Sequence, residues 1–88
     1  MAWTIEYRDV VEKQLSRLDR QTARRITDFL EVRLAAMANP RDLGQALSGP
    51  LKSYWRYRVG DHRVICEIHD QRLVVLVLKI GDRKEVYR

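Results

Sequence analysis

The spacing of apolar residues changes once along the chain, from a helical period in the first half to a strand period in the second. Residues 3–7 alternate apolar and polar side chains and favour extended backbone, which predicts a first strand. Val11, Leu15 and Leu18 then recur at helical spacing. A second helical stripe consists of Ala23, Ile26, Leu30, Leu34 and Met37. Two consecutive stripes of this kind predict an αα-hairpin with an apolar inner face.

Polar residues and proline predict where these helices begin and end. Asp9 with Glu12 three residues later resembles a capping box, which predicts the start of the first helix there. Asp19 is the predicted N-cap of the second helix. Asn39 and Pro40 predict its end, because proline cannot continue a helix. Residues 40–51 contain two glycines and two prolines, a composition that predicts a loop.

Three strands are predicted after this loop, over residues 54–59, 62–68 and 73–80. Gly60 and Asp61 form a two-residue hairpin signal, with glycine first as in a type II′ turn, and Asp70 with Gln71 predicts the next turn. The last strand is almost wholly apolar, as is typical of a central strand. The order β-αα-βββ predicts an α+β fold in which a helical hairpin packs on one face of a small antiparallel-rich sheet.

The hairpin turn also predicts which side chains lie opposite each other. With Gly60 and Asp61 in the turn, Arg58 faces Arg63 across the two strands. Tyr54 and Arg56 share their face. The opposite face holds the predicted core residues Trp55, Tyr57, Val64 and Cys66. Two opposed arginines repel each other, so the pattern suggests a phosphate between them. The alternatives are solvated arginines or an ion pair with Glu67.

Charge supports an anionic partner. The 88 residues, interpreted as one domain over 1–88, carry a net charge of +5, and arginine supplies 13 of the 17 basic residues. The excess is concentrated in residues 52–88, where nine basic residues stand against five acidic ones. Nucleic acid is the commonest polyanionic partner, although a basic surface that only confers solubility is the alternative.

Other features restrict the compartment and the chemistry. The charged N-terminal segment, the short apolar runs and the single cysteine favour a cytoplasmic protein with no membrane association. Neither paired Cys and His ligands nor a phosphate-binding glycine loop occurs, so no metal or cofactor is expected. Cys66 falls on the predicted core face, where it packs. His62 stands beside Arg63 and is a minor candidate for proton transfer.

Two motifs occur in order near the end of the chain: Arg-Val-Gly-Asp-x-Arg over residues 58–63 and Gly-x-Arg-x-x-x-Tyr over residues 81–87. With the length, basic charge and β-αα-βββ order, they resemble the RelE toxins of bacterial toxin–antitoxin pairs over essentially the whole chain. The resemblance implies a metal-independent mRNA endonuclease that cuts in the ribosomal A site by 2′-hydroxyl attack and inhibits translation. It also implies a RelB-like antitoxin, expected to be acidic and to wrap around the toxin, in a complex that binds operator DNA.

The resemblance assigns roles to individual residues. Arg63 matches the arginine at the scissile phosphate, Arg83 the second active-site arginine, and Tyr87 the C-terminal tyrosine. Arg56 and Arg58 fall where founding members carry lysines and an arginine, and the nearest lysine is Lys52. The general base is therefore open. The superfamily also contains ParE-like toxins, which share the fold and inhibit DNA gyrase without being enzymes, so gyrase inhibition is the alternative function. An inactive or purely RNA-binding relative is a third hypothesis.

Overall fold

The computed structural model describes residues 2–47 and 53–82. The strands are β1 (Thr4–Tyr7), β2 (Gln45–Ala46), β3 (Tyr54–Val59), β4 (His62–His69) and β5 (Val74–Asp82). The helical segments are α1 (Asp9–Arg17), α2 (Arg20–Asp28), a π-helix that continues α2 (Phe29–Leu34) and a 3₁₀ helix (Pro40–Leu43). Neither α1 nor α2, nor any other helix in these two ranges, is long and apolar enough to cross a membrane.

The five strands form one mixed sheet in the order β1-β5-β4-β3-β2. β1 pairs with β5 in parallel, and the other three pairings are antiparallel. The predicted α+β architecture, a helical hairpin on an antiparallel-rich sheet, is confirmed. The apolar β5 lies between β1 and β4, the interior position that its composition predicts.

The core lies between the helices and one face of the sheet. Val11, Ile26, Leu30 and Leu34 of the helical layer are fully buried. They pack with a matching set from the strands: Tyr57, Val64, Cys66, Val75 and Val77. Each large aliphatic side chain removed from water in this way contributes about 1.5–3 kcal/mol to folding. The core face predicted for the β3–β4 hairpin is therefore confirmed.

The helix starts agree with the sequence at one position and differ at the other. Asp19 caps α2, and its carboxylate accepts a hydrogen bond from the Thr22 amide at 3.2 Å. Asp9, in contrast, is the first residue of α1, the N-cap is Arg8, and no side-chain cap bond forms. The Arg8 amide donates to the Val77 carbonyl at 3.1 Å, which holds the chain extended through Arg8. The N-cap is therefore one residue earlier than the sequence predicts.

The second helix ends earlier than the proline predicts. After Asp28 the chain widens into a π-helix, in which the Ala35 amide donates to the Leu30 carbonyl at 3.0 Å. The Ala35 carbonyl in turn accepts from the Trp3 amide at 2.8 Å. This bond from the segment entering β1 satisfies a carbonyl at the helix end. The helix ends at Leu34, before Met37, the last residue of the predicted apolar stripe.

Residues 40–51, expected to be a loop, contain regular structure in their described part. The 3₁₀ helix is followed by β2, whose Gln45 and Ala46 pair with Arg56 and Trp55. The Tyr57 hydroxyl donates to the Pro40 carbonyl at 2.8 Å and ties this segment to the core. A two-residue strand is too short to produce a recognisable alternation, which is why the sequence did not reveal it.

The connection after β4 lies one residue later than predicted, because β4 runs to His69 and β5 begins at Val74. Leu73 closes this turn in the left-handed region, with φ of 53°. The Arg41 guanidinium holds the turn from outside through two hydrogen bonds to the Asp70 carboxylate, at 2.9 and 2.6 Å. The same guanidinium lies 5.8 Å from the ring centre of Trp55.

Candidate functional site

The β3–β4 hairpin places two arginines directly opposite each other. Its turn consists of Gly60 and Asp61, and Gly60 adopts φ of 59°, the conformation that glycine supplies at the first position of a type II′ turn. Arg58 is then the cross-strand partner of Arg63. The predicted register is confirmed.

Both arginines lie on the face of the sheet that the helices leave uncovered. Their strand neighbours Tyr57, Val59 and Val64 are buried in the core, so alternation directs Arg58 and Arg63 to the other side. Arg56 shares this side, and its guanidinium is hydrogen-bonded to the Gln45 side chain. Arg56, Arg58 and Arg63 are called the arginine face below.

Asp61 of the turn is the acidic residue that lines the same pocket as Arg58 and Arg63. The ion pairs that Arg24, Arg41 and Arg72 form with carboxylates lie elsewhere on the molecule. Glu67, the partner that the sequence left open, instead contacts the His69 imidazole at 2.7 Å. The Arg63 Nε is buried and has no hydrogen-bond acceptor within the described part of the chain. Because a buried donor without an acceptor is costly, this arrangement favours an anionic ligand.

A pocket of about 200 Å³ lies at this end of the hairpin. Arg58, Arg63, His62 and the two turn residues line it. Its size suits a phosphate group and not a folded cofactor, and the guanidinium groups supply donors in the fork geometry that phosphate oxygens accept.

His62 does not share the face of Arg63. It pairs with the buried Val59 in the ladder, so its side chain lies on the helix side of the sheet, at the tip where the two faces meet. There it borders a second pocket together with Gln14 and Arg17 of α1. His62 and Arg63 are adjacent in sequence, but their side chains point to opposite faces of the sheet, as those of successive strand residues do.

The structure adds Lys79, which the sequence analysis missed, to the same face. The β4–β5 ladder contains a β-bulge: Ile65 pairs with Lys79 but Cys66 pairs with Val77, which leaves Leu78 as an extra residue. Lys79 is consequently exposed on the side of Arg56 and Arg63. Strict alternation from Val75 and Val77 would have put its charge in the core, and that conflict was the available signal for a bulge.

A side chain of α1 supports the strand just after the bulge. The Gln14 Oε1 accepts a hydrogen bond from the Ile80 amide at 2.8 Å. β1 ends opposite Val77, so Gln14 takes the place of a strand partner for this amide. Ile80 itself is buried in the core. Beyond it, Gly81 continues the strand opposite Arg63, so that β5 runs past the predicted strand end at residue 80.

The remaining site predictions fall into two groups. Cys66 is fully buried, and burial raises the pKa of its thiol, so it packs as predicted and is no nucleophile. Lys52, Arg83 and Tyr87 lie outside the described residues. Among those that are described, no group of three or more His, Cys, Asp and Glu side chains is placed to hold a metal ion.

A larger groove of about 500 Å³ lies beside the arginine pair, between the second helical segment and the end of β3. Arg25 and Arg33 give it positive charge, while Phe29 and Val32 give it apolar surface. Arg58 borders both this groove and the smaller pocket. The groove, which Asp28 also lines, therefore adjoins the smaller pocket at Arg58.

Comparison with solved structures gives the same fold throughout the chain. In the RelBE2 toxin–antitoxin complex of Mycobacterium tuberculosis, the matched chain has a TM-score of 0.86 and 20% identity, covering 97% of this chain and 95% of that one. The archaeal RelE–RelB complex of Pyrococcus horikoshii gives 0.75 and 27%, covering 98% and 100%. The isolated RelE toxin of E. coli gives 0.73 and 14%, covering 97% and 88%.

Sequence comparison identifies the family. No curated protein matches the chain. A family model described as the ParE toxin of the type II toxin–antitoxin system parDE matches residues 5–87. That match begins inside β1 and extends over both helices and the other four strands. The chain therefore belongs to the ParE toxin family of type II toxin–antitoxin systems, within the RelE/ParE superfamily.

Proposed function

We propose that this toxin is a ribosome-dependent, metal-independent endoribonuclease that cleaves mRNA in the ribosomal A site and so inhibits translation. The observation that carries the proposal is the Arg58–Arg63 pair, opposed on an uncovered face, with the buried Arg63 Nε lacking an acceptor among the described residues. A protein-binding inhibitor does not require two opposed arginines lining one small pocket, whereas stabilising charge on a phosphoryl group uses them.

RNA supplies its own nucleophile for this reaction. The 2′-hydroxyl oxygen bonds to the adjacent phosphorus, and the bond from phosphorus to the 5′-oxygen of the next nucleotide breaks. The products are a 2′,3′-cyclic phosphate and a 5′-hydroxyl, and the proton lost by the 2′-hydroxyl is balanced by the one gained at the 5′-oxygen. Negative charge grows on the phosphorane oxygens, where each preorganised donor contributes about 2–4 kcal/mol. Arg63 and Arg83 are the residues proposed for this role, and Arg58 lies opposite Arg63.

Proton transfer is the step for which the proposed site offers the fewest suitable groups. Arginine keeps its proton at neutral pH, because its pKa is about 12.5 or higher. The Cys66 thiol is buried in the core, and the His62 imidazole borders the arginine pocket from the tip of the hairpin. Lys52 and Tyr87 are the groups proposed to assist, and the ribosome supplies much of the rate by holding the 2′-hydroxyl in line with the phosphate. Slow intrinsic cleavage of free RNA follows from this division of labour.

Gyrase inhibition is the second candidate, and the description of the matching family model favours it. In that case the toxin would act by binding a protein, and the arginine face would contribute charge to an interface. The two functions differ in what they leave in the cell: cleaved transcripts in one case and damaged DNA in the other.

A cognate antitoxin is proposed as the physiological partner. The solved relatives include RelE–RelB complexes from a bacterium and an archaeon. The groove lined by Arg25, Arg33, Phe29 and Val32 suits an acidic amphipathic segment that wraps around the toxin, since it offers cations and apolar surface together. A complex of the two proteins is further proposed to bind operator DNA. Toxin expressed without any antitoxin should arrest growth, and good yields from growing cells would count against this partner.

One induction experiment separates the functions. The toxin is expressed briefly in cells, and the 5′ ends of mRNA are mapped alongside a DNA-damage reporter. Cuts positioned by codon in translated regions support the ribonuclease. DNA damage without such cuts supports gyrase inhibition, and growth without either would refute both. Arg63→Ala should abolish the cuts, while Arg72→Ala in the distant β4–β5 turn should retain them.

A further inference from the structure

The bulge in β5 organises the uncovered face into two parallel rows of side chains. One row runs across three strands through Arg58, Arg63 and Gly81. The adjacent row runs through Arg56, Ile65 and Lys79. Same-face positions in a strand recur every two residues, so the rows lie about 6.8 Å apart. This is close to the separation of consecutive phosphates in an extended nucleic acid strand.

The two rows differ in a way that suits different tasks. In the first row, Gly81 carries no side chain, which leaves room beside the Arg58–Arg63 pair for the reacting phosphate. In the second row, two cations flank Ile65, which is buried. A phosphate there would meet positive charge on both sides of an apolar centre, with the Gln45 side chain bonded to Arg56 at one end of the row.

Several features combine to bring Lys79 to this row. The extra residue Leu78 moves Lys79 out of the core alternation, and Ile80 fills the core position instead. Gln14 then anchors the Ile80 amide, which fixes the strand beyond the bulge. β-Bulges are conserved devices for re-aiming a side chain, and they are common next to active sites. Placing a lysine on the arginine face is a specific consequence of this one.

We propose that Lys79, together with Arg56, binds the phosphate adjacent to the scissile one, so that the site holds two consecutive phosphates of single-stranded RNA. The proposal rests on the proposed ribonuclease function. Lys79 is a binding residue in this scheme, because its row is displaced from the reacting phosphate. Losing it should weaken RNA binding and leave the cleavage rate at saturation nearly unchanged, whereas losing Arg63 should lower that rate.

The test uses an RNA that cannot react. Binding of a short 2′-O-methyl oligoribonucleotide is measured over a range of salt concentrations for the wild type, Lys79→Met, Lys79→Arg and Lys13→Met. Lys13, on the exposed surface of α1, is the matched control. Each phosphate contact contributes about 0.7 to the slope of log affinity against log salt for a single strand. Lys79→Met should lose about that amount and bind several-fold more weakly, while Lys79→Arg and Lys13→Met keep the wild-type slope.

The outcomes are separable from those of the proposed function. A slope for Lys79→Met equal to that of the wild type overturns the assignment, as does wild-type toxin that binds no RNA. If the slope falls as expected but no variant, including the wild type, cleaves mRNA on ribosomes, the phosphate site stands and the ribonuclease function fails. A thermal melt of each variant verifies that a change in slope does not come from unfolding.

Discussion

Tyr57 and Arg58 are adjacent in β3, but their side chains lie on opposite faces of the sheet and have different roles. The Tyr57 ring is fully buried and its hydroxyl reaches the Pro40 carbonyl, so it joins the loop after the helices to the core. Arg58 points to the opposite side and carries charge on the uncovered face. Because side chains alternate along a strand, one of these neighbours stabilises the fold and the other belongs to the candidate site.

The buried hydrogen bond of Tyr57 should be measurable. Tyr57→Phe leaves the Pro40 carbonyl without its donor, and an unsatisfied buried acceptor costs about 1–2 kcal/mol of the free energy of unfolding. Tyr54→Phe, at a half-buried position on the other face, is the matched control and should change that free energy little. Urea denaturation of the three proteins provides the measurement. Equal stabilities for Tyr57→Phe and the wild type would show that this bond is dispensable.

The Arg41–Asp70 pair makes a prediction about pH. Hydrogen bonds from Arg41 lower the pKa of the Asp70 carboxyl, so the folded state holds that group ionised more strongly than the unfolded state does. The pair therefore stabilises the fold above the unfolded pKa of about 3.9, and the contribution is lost as pH falls through the lower folded pKa. Denaturation midpoints measured at successive pH values should show a smaller acid-induced loss for Asp70→Asn than for the wild type. Asp42→Asn should retain the wild-type profile.

At the scale of elements, β5 contains the feature that matters most for the site. Its bulge sets the side of the sheet on which Lys79 lies, and the helix α1 supports it from the edge that β1 leaves open. The same strand supplies Val75 and Val77 to the core. The strand is therefore held in register on both sides of the bulge. The part before the bulge packs in the core, and the part after it carries Lys79 on the arginine face.

The support from α1 should be visible in amide exchange. Gln14→Leu removes the acceptor of the Ile80 amide while keeping a similar volume. Loss of one hydrogen bond, worth about 1 kcal/mol, should speed exchange of that amide by about fivefold without a comparable change at Val77. Hydrogen exchange followed by NMR gives both rates. Unchanged protection of the Ile80 amide would mean that Gln14 does not stabilise this part of β5.

The sequence predicted those elements that short-range chemistry determines. The Gly60–Asp61 turn fixed the register of Arg58 and Arg63, because a two-residue loop allows only one pairing of its flanks. The π-helix and β2 depend on tertiary contacts, such as the bond from Trp3 to Ala35, and no local pattern specifies them. His62 could have been placed from the alternation that placed Arg63. The exposed position of Lys79 could have been predicted from the rule that a charged side chain is not buried in an apolar core.

For the whole molecule, the charge distribution follows the function that we propose. The chain carries +5, and the part of it from residue 52 onward holds most of the excess. The helices and the core occupy one side of the sheet, which leaves the other side for an extended anionic ligand. The pair of like charges there destabilises the free toxin slightly, and a bound phosphate offsets that repulsion. Ligands that bind the folded state should therefore raise its melting temperature.

Cleavage without a transition metal is the corresponding expectation for activity. RNA provides the nucleophile and arginines provide the charge stabilisation, so the proposed chemistry has no step for a bound zinc or manganese ion. Toxin and ribosomes treated with a zinc- and manganese-selective chelator, at fixed magnesium for ribosome integrity, should cleave mRNA at the untreated rate. Activity that disappears on chelation and returns with one added transition metal would contradict the mechanism.

Single-turnover cleavage of ribosome-bound mRNA by Arg63→Ala tests the central claim most directly. If Arg63 stabilises the phosphorane, its loss should reduce the rate at saturation by about 10²–10³ with little change in affinity for the ribosome. Arg72→Ala removes an equal charge from an exposed turn and should be near neutral, because a screened surface charge contributes little. A thermal melt should show Arg63→Ala folded and no less stable than the wild type. Wild-type cleavage by Arg63→Ala, or a loss equal to that of Arg72→Ala, would show that the arginine pair is not the site of catalysis.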